Sequence, residues 1–316
     1  MTTTPVLEFR NLLKQYPMRD GSGTVTVLDN INRSIHEGEF VTLVGPSGCG
    51  KTTLLKLIMG TLRPTSGEVL LNGQSVTGPG PDRGIVYQKY SLYDNRTVVE
   101  NVIQSGTVTR PLFAKYLGHR SAIKADRERA LAMLDRVSMA DAADKYPHEL
   151  SGGMRQRVAI AQTLFAKPRI LLMDEPFGAL DEGTRNDAQH FLLDLWEEEN
   201  LTGIFITHHL PEAIYMGTRL LALSQHWEHE AGPHKTNNGA RFVMDKSFVP
   251  FINRRRAPGI NDEMYISKFT PLMERVKRYA MDPSMRQRTE EFHDGVPEEV
   301  LTWLDSTHMV GDEDGE

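Results

Sequence analysis

The sequence predicts an α/β protein with an inserted helical subdomain and a small C-terminal extension. Three observations support this prediction. An apolar strand at residues 40–44 leads into a glycine-rich loop and a helix. A second apolar strand at residues 170–173 ends in two carboxylates, and strands alternate with helices on both sides of a helical block.

Length and composition fit a globular protein and exclude several classes. The chain has 316 residues, of which 39% are hydrophobic and 25% are charged. Its single cysteine, Cys49, rules out an intrachain disulfide and favours a reducing compartment. A net charge of −6 argues against bulk binding to nucleic acid or to anionic membranes. Because no signal peptide and no stretch near about 18 apolar residues is present, we expect a soluble chain that another protein holds at any membrane.

The N-terminal part of the chain predicts strands around one helix. Alternating and β-branched residues indicate the early strands, and glycine or proline turns separate the later ones. These strands and the helix are predicted at residues 6–9, 24–35, 40–44, 51–59 (the helix), 67–72 and 84–87.

From about residue 98 the apolar residues recur at helical spacing, and strands return near residue 170. We predict one domain at residues 1–225, with its helical subdomain at about 89–166, and an extension at 226–316. The later elements are predicted at residues 126–137, 153–165, 181–199 and 211–216 for helices, and at 170–173, 204–207 and 220–223 for strands.

The extension has weaker patterns. We predict a linker at residues 226–239, an irregular segment at 242–266, short amphipathic helices at 270–279 and 297–304, and an acidic disordered tail at 311–316. Three histidines in the linker fit a metal site or a polar linker, and their irregular spacing favours the linker: His226, His229 and His234. The basic run at residues 254–256 is interpreted as a solvated turn rather than a ligand site.

A phosphate-binding loop follows the apolar strand. Its residues match the pattern G-x-x-x-x-G-K-[ST] and are Gly45, Pro46, Ser47, Gly48, Cys49, Gly50, Lys51 and Thr52. Glycines let backbone amides turn toward phosphate oxygens, and the helix that begins at Lys51 adds its positive dipole end. We expect Lys51 to bind the β- and γ-phosphates of a nucleotide and Thr52 to bind Mg²⁺, with Thr53 in the same nucleotide-binding set. Cys49 is interpreted as a small loop residue, not a reactive thiol.

Two carboxylates end the second apolar strand. Asp174 is placed to hold the Mg²⁺ shell, and Glu175 is placed to polarise an attacking water as general base. Alone, such a pair is more often a solvated strand end. Beside a phosphate loop, the catalytic interpretation is favoured.

A second anion-binding helix terminus is predicted at Ser151, Gly152 and Gly153. Ser151 is a good N-cap, and the two glycines expose backbone N–H groups. One chain cannot easily use two such termini on one phosphate, whereas two chains packed head to tail can. From these residues alone, an ordinary capped helix is an equally good interpretation.

The segments LSGGMRQRVAIAQTL and ILLMDEPFGALD together resemble the ATP-binding subunits of ABC (ATP-binding cassette) transporters. The family's motifs occur in its order over about residues 6–224. The resemblance implies a P-loop NTPase fold, an ABC nucleotide-binding domain with an antiparallel β subdomain and an inserted helical signature subdomain, that binds ATP and Mg²⁺. It also implies four further roles. Gln88 would be the Q-loop residue, acting in catalysis and metal binding, and Asp181 would be the D-loop residue at a dimer interface. His208 would be the switch histidine at the γ-phosphate, and the ring of Tyr16 would stack on adenine.

One position departs from the family pattern. The residue after the switch histidine is usually aspartate, and here it is His209. The Ile-Thr-His register favours His208 as the switch residue, so His209 is interpreted as a surface residue.

Within the superfamily, YPHELSGGMRQRVAIA and MDEPFGALD most resemble the ATPases of nitrate/sulfonate/taurine-type importers. This implies two copies of the chain under two membrane permease subunits, on the cytoplasmic face of the inner membrane, with a substrate-binding protein outside. The helical block and the segment after Gln88 would receive the permease's coupling helix. No nucleic-acid partner is expected.

Three other functions remain open from the sequence. An exporter or lipid-transport ATPase would share every catalytic residue, because direction is a property of the permease. A soluble ABC protein acting on ribosomes or DNA usually has two cassettes or a long coiled-coil insertion, and neither is visible here. A P-loop kinase would leave the Ser151 turn and His208 without a task.

Overall fold

The computed structural model describes residues 5–88, 91–108, 119–228, 239–248, 262–282 and 287–288. The strands are β1 (Leu7–Pro17), β2 (Thr24–Ile35), β3 (Phe40–Val44), β4 (Ser66–Leu71), β5 (Gln74–Ser75), β6 (Arg83–Tyr87), β7 (Ile170–Asp174), β8 (Gly203–Ile206), β9 (Arg219–Ser224), β10 (Trp227–Glu228), β11 (Arg241–Ser247) and β12 (Gln287–Arg288). The helices are α1 (Lys51–Ile58), α2 (Val98–Val108), α3 (His119–Arg136), α4 (Gly152–Phe165), α5 (Glu182–Glu199), α6 (Leu210–Met216), α7 (Asp262–Ser267) and α8 (Thr270–Val276).

A six-stranded sheet in the order β11-β9-β3-β8-β7-β6 forms the centre of the described residues. The five strands from β9 to β6 are parallel, and β11 is antiparallel to β9. Every residue of β3 is buried, which explains its continuous apolar sequence, because helices or other layers cover both faces of a parallel sheet. The predicted α/β core is confirmed, and its sheet is mostly parallel.

A second sheet, in the order β2-β1-β4-β5, is antiparallel throughout. Its apolar residues pack with those of α1 and one side of the main sheet in a shared core. The predicted antiparallel β subdomain is therefore confirmed. The predicted strand at residues 6–9 continues to Pro17 through register shifts.

Helices α2, α3 and α4 pack around their own apolar cluster, which includes Val102, Leu134 and Val158. The opposite face of α4 buries Ile160 against the core of the main sheet. The predicted inserted helical subdomain is confirmed, and α4 is the element that joins it to the sheet.

Part of the segment after residue 225 belongs to the main core. The prediction of an irregular segment at residues 242–266 was wrong where β11 and α7 form. Strand β11 pairs along β9, and Phe269 and Leu272 are buried in the same cluster as the main sheet. The predicted short helix at 270–279 is present as α8 followed by a π-helical turn, Lys277–Met281. The domain boundary at residue 225 stays a prediction, although the sheet continues past it.

The start of β11 also binds the antiparallel subdomain. The Ala240 amide donates to the Val27 carbonyl at 2.8 Å, and the Asp29 amide donates to the Ala240 carbonyl at 3.0 Å. Arg241 forms an ion pair of 2.7 Å with Asp29. The two sheets are therefore joined beside the phosphate loop, because Val27 and Leu28 pack against Gly50.

Several predictions fall outside the described residues: those on residues 297–304 and 311–316, the basic run at 254–256, His229 and His234. Within the described residues, no group of three metal-ligating side chains is found. No helix among those described is long and apolar enough to cross a membrane.

Candidate active site

The carboxyl ends of β3, β8, β7 and β6 meet at one edge of the main sheet. Register places Leu43 beside Ile206, Ile206 beside Asp174, and Asp174 beside Tyr87. The residues that follow each strand therefore converge. These are the phosphate loop, the Thr207–His208 turn, Glu175 and Gln88, so the sheet alone brings together four of the predicted motifs.

The phosphate loop needs its glycines for two different reasons. A Cβ at Gly45 would lie 2.2 Å from the Leu223 carbonyl oxygen on β9, so no side chain fits there. Gly50 has φ +109° and is the N-cap of α1, a conformation that other residues rarely adopt. The loop is therefore held close to the sheet with the N-terminus of α1 at its end, as an anion site requires.

Lys51 lies across this loop. Its ammonium donates to the carbonyls of Gly45 at 2.7 Å and Pro46 at 3.0 Å. The positive charge is thus held beside the α1 amides, where phosphate oxygens would bind. Ser47 and Gly48 are exposed at the tip of the loop, whereas Thr53 is half-buried.

Cys49 is buried beneath the loop, with 2% of its surface exposed. Burial raises the pKa of its thiol, and the nearby Lys51 charge only partly opposes this. A neutral buried thiol is a poor nucleophile, so the geometry fits the interpretation of Cys49 as a small loop residue.

A cavity of about 480 Å³ lies beside the loop and is lined by Thr52, Tyr87, Gln88, Asp174 and Glu175. It presents a hydroxyl, an amide and two carboxyl groups, which are the oxygen donors that Mg²⁺ prefers. The pKa of Asp174 is raised, first by burial and then by the Glu175 charge, while Lys51 opposes the rise. The residues therefore fit a bound Mg²⁺, whose charge would favour the ionised Asp174.

Glu175 leaves the strand in a different direction from Asp174. Its φ is +49°, and its amide donates to the Ile206 carbonyl at 3.0 Å. This turn brings Glu175 Oε1 to 3.1 Å from Nδ1 of His208. The His208 side chain is 68% exposed, so the ring is accessible at the mouth of the site.

Gln88 contacts the turn that follows Glu175. A Cβ built on Gly178 would lie 2.8 Å from Nε2 of Gln88, so the absent side chain leaves room for the amide. The Gly178 amide donates to the Glu175 carbonyl at 3.1 Å. The Q-loop residue and the start of the D-loop are thus neighbours beside the candidate base.

The Ser151 turn lies in the helical subdomain and does not line this cavity. Ser151 is exposed and caps α4 by accepting from the Met154 amide at 3.3 Å. Gly152 is half-buried and Gly153 is buried, and a Cβ on Gly153 would lie 2.7 Å from the methyl group of Thr184.

Asp181 caps the neighbouring helix α5 by accepting from the Thr184 amide at 3.0 Å. This hydrogen bond and that of the Thr184 hydroxyl lower the pKa of Asp181. Asp181 and Ser151 are both exposed, so the two capped helix termini are accessible to a second molecule.

Tyr16 lies near the end of β1, opposite Val25, and 36% of its surface is exposed. The Lys14 ammonium lies 4.9 Å from the centre of its ring. One face of the ring thus has a cationic neighbour while the side chain remains accessible. His209 is exposed, as predicted.

Sequence reasoning missed two groups at this edge. Tyr87 lines the cavity, and only its position before Gln88 could have indicated it. Glu212 is buried below the His208 turn, and an acid on the apolar face of a short helix was the available signal.

Comparison with known proteins shows which family the chain resembles. A family model described as ABC transporter matches residues 28–178. The bicarbonate transport ATP-binding protein CmpD of Synechocystis sp. is 36% identical over 280 residues, which is 89% of each chain. An uncharacterized ABC transporter ATP-binding protein of Methanocaldococcus jannaschii is 46% identical over 69% of this chain and 77% of its own. The aliphatic sulfonates import ATP-binding protein SsuB of Bacillus cereus is 41% identical over 64% and 76%, respectively.

Solved structures show the same fold. A dimeric ATP-binding cassette in a post-hydrolysis state, bound to ADP and Pi, matches with a TM-score of 0.59 and 32% identity, covering 77% of this chain and 98% of that one. A component of the cbiONQ transporter complex of Clostridium perfringens has a TM-score of 0.62 at 23% identity and supports the fold alone. The predicted fold class is thereby confirmed.

Proposed function

We propose that this chain, which belongs to the family of ABC transporter ATP-binding proteins and is an ABC-type ATPase, dimerises on ATP and drives import of a small solute through a separate membrane permease. The observation that carries the proposal is the convergence of Lys51, Asp174, Glu175 and His208 at one edge of the sheet. Phosphate binding, metal binding and a general base are all available there.

In the proposed reaction, the loop amides and Lys51 bind the phosphates of ATP. Thr52, Gln88 and Asp174 would hold Mg²⁺, which would supply positive charge to neutralise the phosphate oxygens. Glu175 accepts the proton of the attacking water, because its carboxylate lines the cavity beside Thr52 and faces His208. His208 donates a hydrogen bond to the transferred phosphate and orients Glu175 through the 3.1 Å contact.

The catalytic unit we propose is a head-to-tail dimer. Each nucleotide would lie between the Lys51 loop of one copy and the Ser151, Gly152 and Gly153 turn of the other, with Asp181 at the interface. Two features support this. Ser151 is exposed and lies outside its own chain's cavity, and a relative with 32% identity was solved as a dimer with ADP and Pi. Tyr16 would stack on the adenine, since its ring is accessible.

The partners we propose are two permease subunits at the inner membrane, contacted on its cytoplasmic face, and a substrate-binding protein outside. The names of the relatives support import, and bicarbonate and aliphatic sulfonates favour a small oxyanion as the solute. The solute is recognised by the other subunits, so the ATPase residues do not determine it.

Affinity purification of the tagged chain from its native membranes tests the transport role. We expect a multi-span permease to copurify, together with an extracytoplasmic binding protein. Copurification with an export permease would contradict import and favour export as the direction of transport. Recovery of ribosomes or nucleic-acid proteins without a permease would contradict the proposal and favour a soluble ABC protein.

A further inference from the structure

We propose that Glu212 and Thr207 are positioning residues for His208, an inference that rests on the proposed role of His208 in hydrolysis. Both are buried: 7% of Glu212 and 2% of Thr207 is exposed. Neither touches the cavity lined by Asp174 and Glu175. Their contacts instead fix the turn that carries His208.

Glu212 accepts hydrogen bonds from two elements of the fold. Its Oε2 accepts from the hydroxyl of Thr207 through a short contact, and its Oε1 accepts from Nε2 of Gln189, on α5, at 3.0 Å. A buried carboxylate is costly unless donors satisfy it, and hydrogen bonds to an ionised group are stronger than neutral ones. The buried acid therefore holds the Thr207 hydroxyl in one orientation.

Thr207 transmits this constraint to both sides of the turn. Its Oγ1 accepts from the His209 amide at 3.0 Å, and its own amide donates to the Leu43 carbonyl at 3.3 Å. Leu43 lies on β3, two residues before the phosphate loop. His208 is thus flanked by residues anchored to Glu212 on α6 and to β3, the strand that leads into the phosphate loop.

An exposed side chain needs such an anchor. The His208 ring is 68% exposed and has little packing to define its position, yet its Nδ1 must lie 3.1 Å from Glu175 Oε1. Small displacements of a catalytic group can lower rates far more than they lower substrate binding. The carboxylate of Glu212, through Thr207, supplies the backbone constraint that the exposed ring lacks.

Thr207→Val tests the inference in the full chain, because it keeps the shape of the side chain and removes only the hydroxyl. Thr218→Val is the matched control. Thr218 is equally buried and its hydroxyl also makes two hydrogen bonds, with the Phe40 amide at 2.9 Å and the Phe40 carbonyl at 3.2 Å, but at the opposite end of β3. Both variants, with Glu212→Gln as a second test, are checked for folding by their Tm.

We expect Thr207→Val and Glu212→Gln to lower kcat by about 10- to 100-fold while the KM for ATP changes by less than about threefold. Thr218→Val should leave kcat within about twofold of wild type. Thr207→Ser, which keeps the hydroxyl, should retain most of the wild-type rate. In a His208→Ala background, Thr207→Val should add less than about twofold, since the positioned group is gone.

Two results would overturn the inference: a kcat for Thr207→Val no lower than that of Thr218→Val, or losses that multiply in the His208→Ala background. A different result would contradict the proposed role of His208 rather than the positioning roles of Thr207 and Glu212. If His208→Ala alone keeps the wild-type kcat, the role of His208 in hydrolysis is removed, and this inference falls with it.

Discussion

Asp174 and Glu175 are adjacent carboxyl groups at the end of one strand, yet their surroundings differ. Asp174 continues β7, and burial together with the Glu175 charge raises its pKa. Glu175 turns away at φ +49° and faces His208. One group is therefore placed to bind a cation that would compensate its burial, and the other is placed to accept a proton.

The raised pKa of Asp174 has a consequence for stability. We expect Asp174→Asn to abolish ATPase activity but to raise Tm at pH 7 by about 1 to 2 °C, the shift that roughly 1 kcal/mol produces in a protein of this size. A carboxyl group whose folded pKa is raised stabilises the fold while protonated and loses that contribution as the pH rises through the folded pKa. The advantage of the variant should therefore be small below about pH 4 and grow as the pH rises.

Thermal unfolding in metal-free buffer from pH 3 to 7 measures this, with Asp187→Asn on the exposed face of α5 as the matched control. The control should show no growing advantage. A Tm for Asp174→Asn below that of wild type at pH 7 would contradict the assigned cause of the pKa shift.

Glu175 is the proposed general base. Glu175→Gln keeps the size of the side chain and removes the base, so kcat should fall by at least about 100-fold while the affinity for ATP changes little. Steady-state ATPase assays and nucleotide-binding titrations measure both quantities. Glu198→Gln, exposed near the end of α5, is the control and should hydrolyse normally. Normal turnover by Glu175→Gln would remove Glu175 as the base.

Among the elements, apolar runs were predictable and paired charges were not. Strands β3 and β7 could be predicted from short, mostly apolar runs, because both are buried inside the sheet. Strand β11 was missed because Asp245 and Lys246 interrupt its pattern. In the fold, Asp245 accepts two 2.7 Å hydrogen bonds from Arg219 on β9, a partner that no local pattern reveals.

The site shows the same division. The residues of the phosphate loop and those at the ends of β7 and β8 could be predicted, because their chemistry requires particular residue types in a fixed order along the chain. The Glu175 turn and the Thr207–Glu212 contact were not predicted. Both depend on which strands and helices become neighbours, and this is set by the whole sheet.

Helices α7 and α8 contribute side chains to the core of the main sheet. Phe269, between them, is fully buried, with its ring centre 5.4 Å from that of Phe248 and 5.2 Å from that of Tyr265. We expect Phe269→Ala to lower the free energy of unfolding by about 3 to 5 kcal/mol, because it opens a cavity in the main core. Met264→Ala, where 48% of the side chain is exposed on α7, should cost less than about 0.5 kcal/mol.

Denaturant unfolding of the two variants measures the difference. A single transition that shifts as a whole would show that residues 262–282 unfold with the main sheet. An early separate transition in Phe269→Ala, with the main transition unchanged, would instead favour an independent C-terminal extension.

For the whole molecule, the proposed head-to-tail dimer would bring together two separate surfaces of the chain. The Lys51 loop lies at the edge of the main sheet, and the Ser151 turn lies in the helical subdomain on a separate apolar cluster. The cavity that contains Thr52, Asp174 and Glu175 is open and does not include Ser151. A second copy that supplies its Ser151 turn would close the site on the nucleotide, which makes hydrolysis depend on dimerisation.

The mass of Glu175→Gln in solution, measured by light scattering with and without ATP and Mg²⁺, tests this dependence most directly. We expect the 35.6 kDa mass of one chain without nucleotide and twice that mass with ATP. The added variant Ser151→Arg should still bind ATP through its own Lys51 loop but remain a monomer. If Glu175→Gln stays at the mass of one chain while saturated with ATP, or if Ser151→Arg dimerises as well, a head-to-tail dimer closed on the nucleotide is contradicted.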